Sequence, residues 1–182
     1  MKVLPTELSD VLVIQPVVHT DERGFLREIW HAGRYTQIGI ELPLVQVNHS
    51  HSRRGTLRGL HYQVRRPQGK LVSVVSGAIF DVAVDLRRSS ATFGRWAGAA
   101  LSDSNQHQLW VPPGFAHGFY VLSDSADVLY ECTDFYSAED EATLSWNDPG
   151  VGIDWPLIDG AGPILSPKDA AGRALRDART YE

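Results

Sequence analysis

Hydrophobic and polar residues alternate with a period of two in several short segments of the chain. The clearest is residues 79–86, in which Asp81 and Asp85 interrupt an apolar series formed by Phe80, Val82, Val84 and Leu86. This pattern predicts a β-strand with the four apolar side chains on one face and the two aspartates on the other.

Six further segments are short and rich in Val, Leu or aromatic residues, which favours strands. They are residues 11–14, 44–48, 71–75, 108–111, 117–122 and 127–133. Turn-forming residues separate them, at positions 21–24, 54–55, 76–77, 112–114 and 123–124. Many short strands at this spacing predict an all-β fold, either an antiparallel barrel or a double-sheet sandwich.

Helix signals are few. Residues 31–38 have room for one or two helical turns. Ser166 is a helix-capping residue followed by Pro167 and, at the third position, Asp169. This order predicts a helix start near the C-terminus, with the helix continuing to about residue 178. With no internal repeat or linker, we expect residues 1–182 to form a single domain.

Composition narrows the functional class. The chain of 182 residues has 17 basic and 22 acidic residues and a net charge of -5, whereas a nucleic-acid-binding protein usually has a basic excess. Cys132 is the only cysteine, so no disulfide forms within the chain. The first residues do not form a signal peptide, and no apolar run approaches the ~20 residues of a membrane helix. We expect a soluble, cytoplasmic protein that binds neither nucleic acid nor membrane.

One motif indicates the architecture more narrowly. Pro112, Gly114 and His117 match the P-x-G-x-x-H motif of cupin barrels, which are jelly rolls. In many cupins this histidine binds a metal together with an H-x-H pair and a glutamate. His49 and His51 have the pair spacing, but residues 52–54, Ser-Arg-Arg, stand where the glutamate is expected. A cationic neighbour opposes metal binding, so we predict no metal, with a metal-dependent cupin as the alternative.

Arg58 and His61 lie three residues apart on a predicted strand. Regular alternation would place them on opposite faces, whereas a bulge at Gly59 would turn both side chains inward. If both point inward they form part of a site; otherwise His61 is a half-exposed histidine on a strand.

Four basic residues recur near these positions: Arg23, Arg58, Lys70 and Lys168. Each of them alone is best interpreted as a solvated surface charge. Together they supply the local positive charge that an acidic protein needs to hold a diphosphate.

Two further residues have both a structural and a chemical interpretation. Tyr130 shares a strand face with Val128 and Cys132, where it is either a core aromatic or a proton donor. Asp169 is either the acid of a helix-capping box or the partner that orients a histidine, and the two roles are compatible.

The sequence resembles the dTDP-4-dehydrorhamnose 3,5-epimerases over nearly its whole length. Motifs at residues 21–25, 46–48, 57–63, 68–72, 77–87, 110–119, 153–156 and 166–169 carry the resemblance, in this order. It implies a cupin-like antiparallel jelly roll, a homodimer, no metal and no cofactor. His61 would be the general base, Asp169 its partner, Tyr130 the acid on the opposite face of the sugar, and Lys70 the group that stabilises the enolate. Substrate contacts are implied for Arg23, Phe25, Glu28, Gln46, Asn48, Arg58, His117, Tyr136, Glu141 and Lys168.

These residue types suit inversion of a carbon next to a ketone. The C4 ketone acidifies the protons on C3 and C5, and a buried cation such as Lys70 stabilises the resulting enolate. Histidine has a reference pKa of about 6.5, which suits a base near neutral pH, and tyrosine, at about 10, is a proton donor there. No dinucleotide-binding G-x-G-x-x-G follows a strand, which agrees with the absence of a redox step.

Three alternatives remain at this point. A metal-dependent cupin would use His49, His51 and His117. A non-catalytic sugar- or nucleotide-binding cupin would bind its ligand without turnover. A related enzyme would epimerise only C3 or only C5, or move the ketone, and residues 63–68 are positions that could tune which carbons react.

Overall fold

The structure, a computed structural model, describes residues 1–160 and 162–182. Strands dominate this part of the chain. They are β1 (Lys2–Leu4), β2 (Leu12–Gln15), β3 (Val18–Asp21), β4 (Gly24–Arg27), β5 (Gln46–Arg53), β6 (Leu57–Gln63), β7 (Lys70–Ser76), β8 (Ala78–Asp85), β9 (Trp96–Ser102), β10 (Gln108–Val111), β11 (Phe115–Val121), β12 (Ser125–Cys132) and β13 (Glu141–Thr143). Two short helices accompany them, α1 (Ala32–Thr36) and α2 (Pro167–Ala170).

The strands form two main antiparallel sheets. Six strands pair in the order β1-β2-β10-β7-β12-β5, and five in the order β13-β6-β11-β8-β9, while β3 and β4 form a separate hairpin. Buried apolar side chains from both sheets form one cluster, including Val72 and Leu109 from the first and Ala83 and Leu101 from the second. The predicted all-β, antiparallel jelly-roll fold is therefore confirmed.

The outer face of the five-stranded sheet is also covered. Val82, Val84 and Leu86 contribute to a second apolar cluster, against which Phe80 packs. The predicted separation of these side chains from Asp81 and Asp85 is confirmed. Both aspartates are nevertheless fully buried, because their face of β8 is turned towards the core between the sheets. Burying a carboxylate is costly unless it is hydrogen-bonded, so Asp81 and Asp85 each need partners within the protein.

Helix α1 lies within the segment predicted to be helical, and α2 begins as predicted, with Ser166 as its cap. The prediction that this helix continues to about residue 178 is wrong. Beyond Ala170 the chain instead makes extended contacts: the amide of Arg173 donates to the carbonyl of Thr143, and the amide of Ser145 donates to the carbonyl of Arg173. Backbone pairing with the strand region therefore replaces the helix.

The described residues contain no helix that is both long enough and apolar enough to span a membrane.

The core between the sheets gives a direct test of the fold. Leu101 is fully buried, whereas Leu42 is 43% exposed. We predict that Leu101→Ala lowers the free energy of unfolding by about 2–5 kcal/mol, because it removes buried methyl groups and leaves a cavity. The same change at Leu42 should cost within about 0.5 kcal/mol. Urea unfolding measures both, and equal effects at the two positions would contradict the assigned core.

Candidate active site

A cavity of about 360 Å³ lies between the two sheets, in the size range of ligand pockets. Strands of the six-stranded sheet supply one wall, and strands of the five-stranded sheet supply the other. The lining residues are Gln46, Asn48, Ser50, Arg58, His61, Tyr62, Gln63, Gln68, Lys70, His117, Phe119, Tyr130, Cys132, Tyr136, Glu141 and Lys168.

A bulge in β6 brings Arg58 and His61 to this cavity. His61 pairs with His117 of β11 and Arg58 pairs with Phe119, so three steps along β6 match two steps along β11. Gly59 lies within the bulge at a φ of +134°, and a Cβ there would be 2.5 Å from the Cα of Gly118. Only glycine fits both the conformation and the close approach. The bulge proposed from the sequence is therefore confirmed.

Asp169 joins the bulge to helix α2. Its Oδ1 lies 2.5 Å from His61 Nε2 and accepts a hydrogen bond from the amide of Gly59 at 3.3 Å. Its Oδ2 accepts from the hydroxyl of Ser166 at 2.6 Å, while that hydroxyl accepts from the Asp169 amide. Asp169 therefore bonds both to Ser166, which caps helix α2, and to His61.

This pair sets the charge state of the imidazole. Burial lowers the pKa of His61, and the hydrogen bond to Asp169 opposes this effect without cancelling it. Burial would raise the pKa of Asp169, but hydrogen bonds from His61 and Ser166 outweigh burial and bring it to about 2. At neutral pH His61 is therefore neutral, with its Nε2 proton on the Asp169 side and its Nδ1 unprotonated.

Lys70 lies at the end of β7 and is only 8% exposed. Its Nζ donates to the carbonyl of His61 at 3.4 Å. Burial lowers the pKa of Lys70, and the nearby Cys132 and Asp81 oppose that shift. A largely desolvated ammonium beside the imidazole is suited to stabilise negative charge on a bound ligand.

Tyr130 approaches the cavity from the opposite side to His61. It lies on β12 of the six-stranded sheet, on the same wall as Cys132, whereas His61 belongs to the five-stranded sheet. Burial raises the pKa of Tyr130, so its phenol stays protonated throughout the neutral range. A neutral imidazole and a protonated phenol therefore line opposite walls of one cavity.

The mouth of the cavity is polar. Lys168 forms an ion pair with Glu141 at 2.8 Å, and the hydroxyl of Tyr136 donates to the same carboxylate at 3.2 Å. The amide of Tyr136 donates to the side chain of Gln46, which in turn donates to Asn48. These side chains form a connected rim with both hydrogen-bond donors and acceptors.

Comparison with known proteins assigns this arrangement to a family. Residues 5–177 match the family model described as dTDP-4-dehydrorhamnose 3,5-epimerase. The chain belongs to the dTDP-4-dehydrorhamnose 3,5-epimerase family. Its members carry the name of an isomerase, so the chain is an enzyme of the epimerase class.

Two relatives of that name illustrate the match. The Pseudomonas aeruginosa enzyme is 51% identical over 182 residues, covering 100% of this chain and 99% of its own length. The Neisseria gonorrhoeae enzyme is 53% identical over 178 residues, covering 98% of this chain, which spans only 54% of that longer protein.

Solved structures of similar proteins agree with this family assignment. The epimerase from Legionella pneumophila in complex with dTDP-4-keto-L-rhamnose aligns with a TM-score of 0.94 and 50% identity, over 97% of this chain and 93% of that one. A 3'-monoepimerase from Streptomyces bikiniensis in complex with dTDP-quinovose aligns with a TM-score of 0.87 and 34% identity, over 94% and 87% of the two chains. The fold is thus shared by epimerases of differing regiochemistry.

Three residues that the family resemblance places in the substrate site lie outside this cavity. Arg23 and Phe25 lie at the turn end of the β3–β4 hairpin, where Arg23 pairs with Asp21. Glu28 pairs with Arg34 and lines a separate cavity on the surface. The structure does not bring them to the cavity of their own chain, and their roles stay predictions.

The histidines of the metal-dependent alternative do not converge. His49 and His51 lie on the outward side of β5, and both bond to the carboxylate of Asp127. His117 lies within the cavity and bonds to Asp81. Across residues 1–160 and 162–182, no group of three or more His, Cys, Asp or Glu side chains is arranged to hold a metal ion.

Four lining residues were not assigned to the site from the sequence, namely Ser50, Tyr62, Phe119 and Cys132. Alternation along the strands would have found three of them. Ser50 follows Gln46 and Asn48 on β5, Phe119 follows His117, and Cys132 follows Tyr130, each at a spacing of two. Tyr62 directly follows His61 on β6, so regular alternation would place it on the opposite face.

The contact between His61 and Asp169 can be tested by measuring the pKa of His61. In the free enzyme, NMR should place the pKa of His61 below 6.5, because burial disfavours the imidazolium. In Asp169→Asn the pKa should fall further, because the hydrogen bond that favours the charged form loses its carboxylate. A His61 midpoint above 6.5, or one that rises in the variant, would contradict the assigned charge state.

Proposed function

We propose that this enzyme converts dTDP-4-dehydro-6-deoxy-D-glucose to dTDP-4-dehydro-L-rhamnose by inverting both C3 and C5. One observation carries the proposal: a neutral imidazole and a protonated phenol line opposite walls of one cavity that also holds a buried ammonium group. Inversion needs a proton to leave from one face of the sugar and to return to the other, and this arrangement supplies both groups.

Proton removal falls to Nδ1 of His61. Its Nε2 is held by Asp169 at 2.5 Å, so Nδ1 is the ring nitrogen left free for the substrate. As Nδ1 takes a proton from C3 or C5, the ring becomes cationic, and the carboxylate of Asp169 stabilises it. Asp169 therefore fixes the tautomer before the step and offsets the charge after it.

Lys70 acts on the enolate. The electron pair released from the C–H bond moves towards the C4 oxygen, which becomes negatively charged. An ammonium group with little access to water stabilises that charge strongly, because the local dielectric is low and the group is already positioned. Its hydrogen bond to the His61 carbonyl holds the ammonium beside the base.

Tyr130 returns the proton from the other wall. In this scheme its phenol donates to the enolate carbon on the face opposite His61, which completes the inversion at that carbon. Two rounds, one at C3 and one at C5, give the doubly inverted product. After each round the imidazolium of His61 releases its proton to water and the tyrosinate of Tyr130 takes one up from water, so protons and charge balance.

The rim would bind the nucleotide portion. Arg58 and Lys168 are cations at the cavity wall and supply charge for the diphosphate in an otherwise acidic protein. Gln46, Asn48 and Tyr136 present amide and aromatic groups suited to a pyrimidine base. The dTDP-sugar complex of the Legionella relative supports a ligand of this class.

We also propose that the active form is a homodimer in which the hairpin of one chain completes the site of the other. Arg27 fixes the base of the β3–β4 hairpin by donating to the carbonyls of Gln106 and Val74. The hairpin is otherwise exposed, and Phe25 and Leu26 are 61% and 70% exposed. Apolar side chains presented in this way are typical of a protein interface.

A second exposed surface supports the same assembly. Val47 on β5 and Val75 on β7 face outward from the six-stranded sheet and are half-exposed or more. Glu131 on β12 faces the same side as Val47, its cross-strand partner, and has a buried carboxylate oxygen without a hydrogen-bond partner in the described residues. A two-fold interface would cover these groups on both chains at once.

A reducing, cytoplasmic location accords with this proposal. The only cysteine, Cys132, is a free, buried thiol on the cavity wall. A thiol in that position persists where disulfide formation is disfavoured.

The reaction is tested by NMR of the 4-keto sugar nucleotide with enzyme in heavy water. The wild type should place deuterium at both C3 and C5 and invert the ring couplings at both carbons. Deuterium at only one carbon would instead make this a single-position epimerase, the activity of the Streptomyces bikiniensis relative. No exchange at either carbon would contradict the proposed function.

Variants separate the two proton-transfer groups in the same assay. His61→Ala should lose about 10²–10⁴ in both exchange and inversion, because the base is gone. Tyr130→Phe should keep exchange at the carbons next to the ketone but lose most inversion. His49→Ala, an exposed histidine outside the cavity, is the control. Equal loss of exchange and inversion in Tyr130→Phe would remove Tyr130 from the acid role.

The shared site is tested by mixing two impaired variants. Arg23→Ala should bind substrate poorly and His61→Ala should be inactive. If Arg23 acts across the interface, mixed dimers contain one site with both residues intact, and random exchange should restore about a quarter of wild-type activity. Activity that stays at the sum of the two parent variants, or a monomer in sedimentation analysis, would contradict the shared site.

A further inference from the structure

Gln63 lines the cavity, but the hydrogen-bonding groups of its side chain are bound to the protein backbone. It is the last residue of β6 and is only 2% exposed. Its Nε2 donates to the carbonyl of Arg66 at 2.9 Å and to the carbonyl of Phe135 at 3.2 Å. Its Oε1 accepts from the amide of Ser137 at 2.6 Å. Two carbonyls and one amide fix the orientation of the side chain and use both of its donors, so Gln63 has no donor for a ligand.

The backbone groups that Gln63 binds belong to two loops. Residues 64–69 connect β6 to β7, and residues 133–140 connect β12 to β13. Because these loops are not strands, side chains have to satisfy part of their backbone hydrogen bonding. Asp140 does so from the second loop, where its carboxylate accepts from the amide of Arg66 at 2.8 Å. Gln63 and Asp140 therefore fasten the two loops to each other, and Gln63 fastens both to β6.

Tyr136 lies between the two residues of the second loop that bond to Gln63. Its own amide donates to Oε1 of Gln46 at 2.9 Å, so residues 135–137 are held by two glutamine side chains. The Tyr136 side chain lines the cavity, is 53% exposed, and donates from its hydroxyl to Glu141 at 3.2 Å. The position of such an exposed ring depends on the backbone that carries it, and Gln63 holds that backbone on both sides of Tyr136.

We propose that Gln63 is a positioning residue that holds Tyr136 at the cavity mouth, where the aromatic ring packs against the pyrimidine base of the bound nucleotide. A ring that is already fixed loses less conformational entropy on binding, so the affinity is higher than for a mobile ring. In this scheme Gln63 contacts neither the sugar nor the proton-transfer groups, so it raises affinity and leaves the rate of the saturated enzyme unchanged. The identity of the ligand rests on the proposed function, whereas the hold on residues 135–137 does not.

The variant Gln63→Met tests this role because methionine is of similar length and lacks the amide. We expect the Kd of dTDP and the KM of the sugar nucleotide to rise about ten-fold, the scale of a lost contact between a base and an aromatic ring. The kcat should stay within about two-fold of wild type, because the lost contact is the same in the ground state and the transition state.

Ser123→Ala is the matched control. The hydroxyl of Ser123 also bonds three backbone groups, on Ala78 and Ser125, and it lies outside the cavity. Both variants should lower the Tm, but only Gln63→Met should weaken nucleotide binding. Unchanged Kd and KM in a folded Gln63→Met would overturn the proposal, because Gln63 would then serve stability alone.

A double-mutant cycle shows whether Gln63 acts through Tyr136. Once Tyr136→Ala has removed the ring, Gln63→Met should add little further loss of dTDP affinity. Losses that add up in the double variant would overturn the proposal, because Gln63 would then act through another group. A changed ratio of deuterium at C3 and C5, with an unchanged Kd for dTDP, would also overturn it, because Gln63 would then act on the sugar.

Amide hydrogen exchange tests the hold on residues 135–137 without any ligand. Across residues 1–160 and 162–182, the acceptor for the Ser137 amide is Oε1 of Gln63, so this amide should exchange slowly in the wild type and much faster in Gln63→Met. Fast exchange at Ser137 in the wild type would overturn the proposal, whether or not Gln63→Met folds. Failure of the epimerase function would appear separately, as a wild type without turnover.

Discussion

The hydrogen bond between Asp169 and His61 connects two parts of the chain that are distant in sequence, the bulged strand β6 and the first turn of α2. The same carboxylate oxygen also accepts from the amide of Gly59, inside the bulge. One buried acid therefore holds the strand irregularity, the orientation of the imidazole and the position of the short helix. Without it, Nδ1 of His61 would have no fixed direction, and the strand would have no partner for an amide that the bulge leaves unpaired.

The two-sheet architecture explains how one cavity offers different chemistry on its two walls. Strand β6 supplies His61, whose Nε2 is held by Asp169, so the free Nδ1 on that wall is available to accept a proton. Strand β12 supplies Tyr130, whose buried phenol stays protonated and donates. A substrate between the sheets meets an acceptor wall and a donor wall. Inversion of a carbon needs this asymmetry, and a flat or one-sided site would exchange protons without inverting.

The sequence predicted the fold class well where alternation is strong. Residues 108–111 match β10, and the other predicted strands overlap observed ones with shifted ends. Strand β9 was not predicted, because its sequence WAGAALS is mostly small and apolar and shows no alternation. The C-terminal helix was predicted too long, because capping residues mark where a helix starts. Its end depends on pairing of Arg173 with the strand region, a contact that no local pattern reveals.

The site was predictable to a similar degree. Of the residues that the family resemblance assigned, those on β5, β6, β7, β11 and β12 reach the cavity, because strand spacing carries their direction. Arg23, Phe25 and Glu28 do not reach the cavity of their own chain, since that depends on a hairpin and on what covers it. Asp81 was seen only as the polar side of an alternating strand. Its partnership with His117 depends on the register of β8 against β11, which a single sequence does not specify.

In the proposed mechanism the pyranose lies between the imidazole of His61 and the side chain of residue 130. A crystal structure of Tyr130→Phe with the 4-keto sugar nucleotide is the direct test of this placement. We expect the sugar ring inside the cavity, with His61 Nδ1 facing one side of the ring, the phenyl group facing the other, and Lys70 beside the C4 oxygen. A sugar bound outside the cavity, or with both side chains against the same face of the ring, would contradict it.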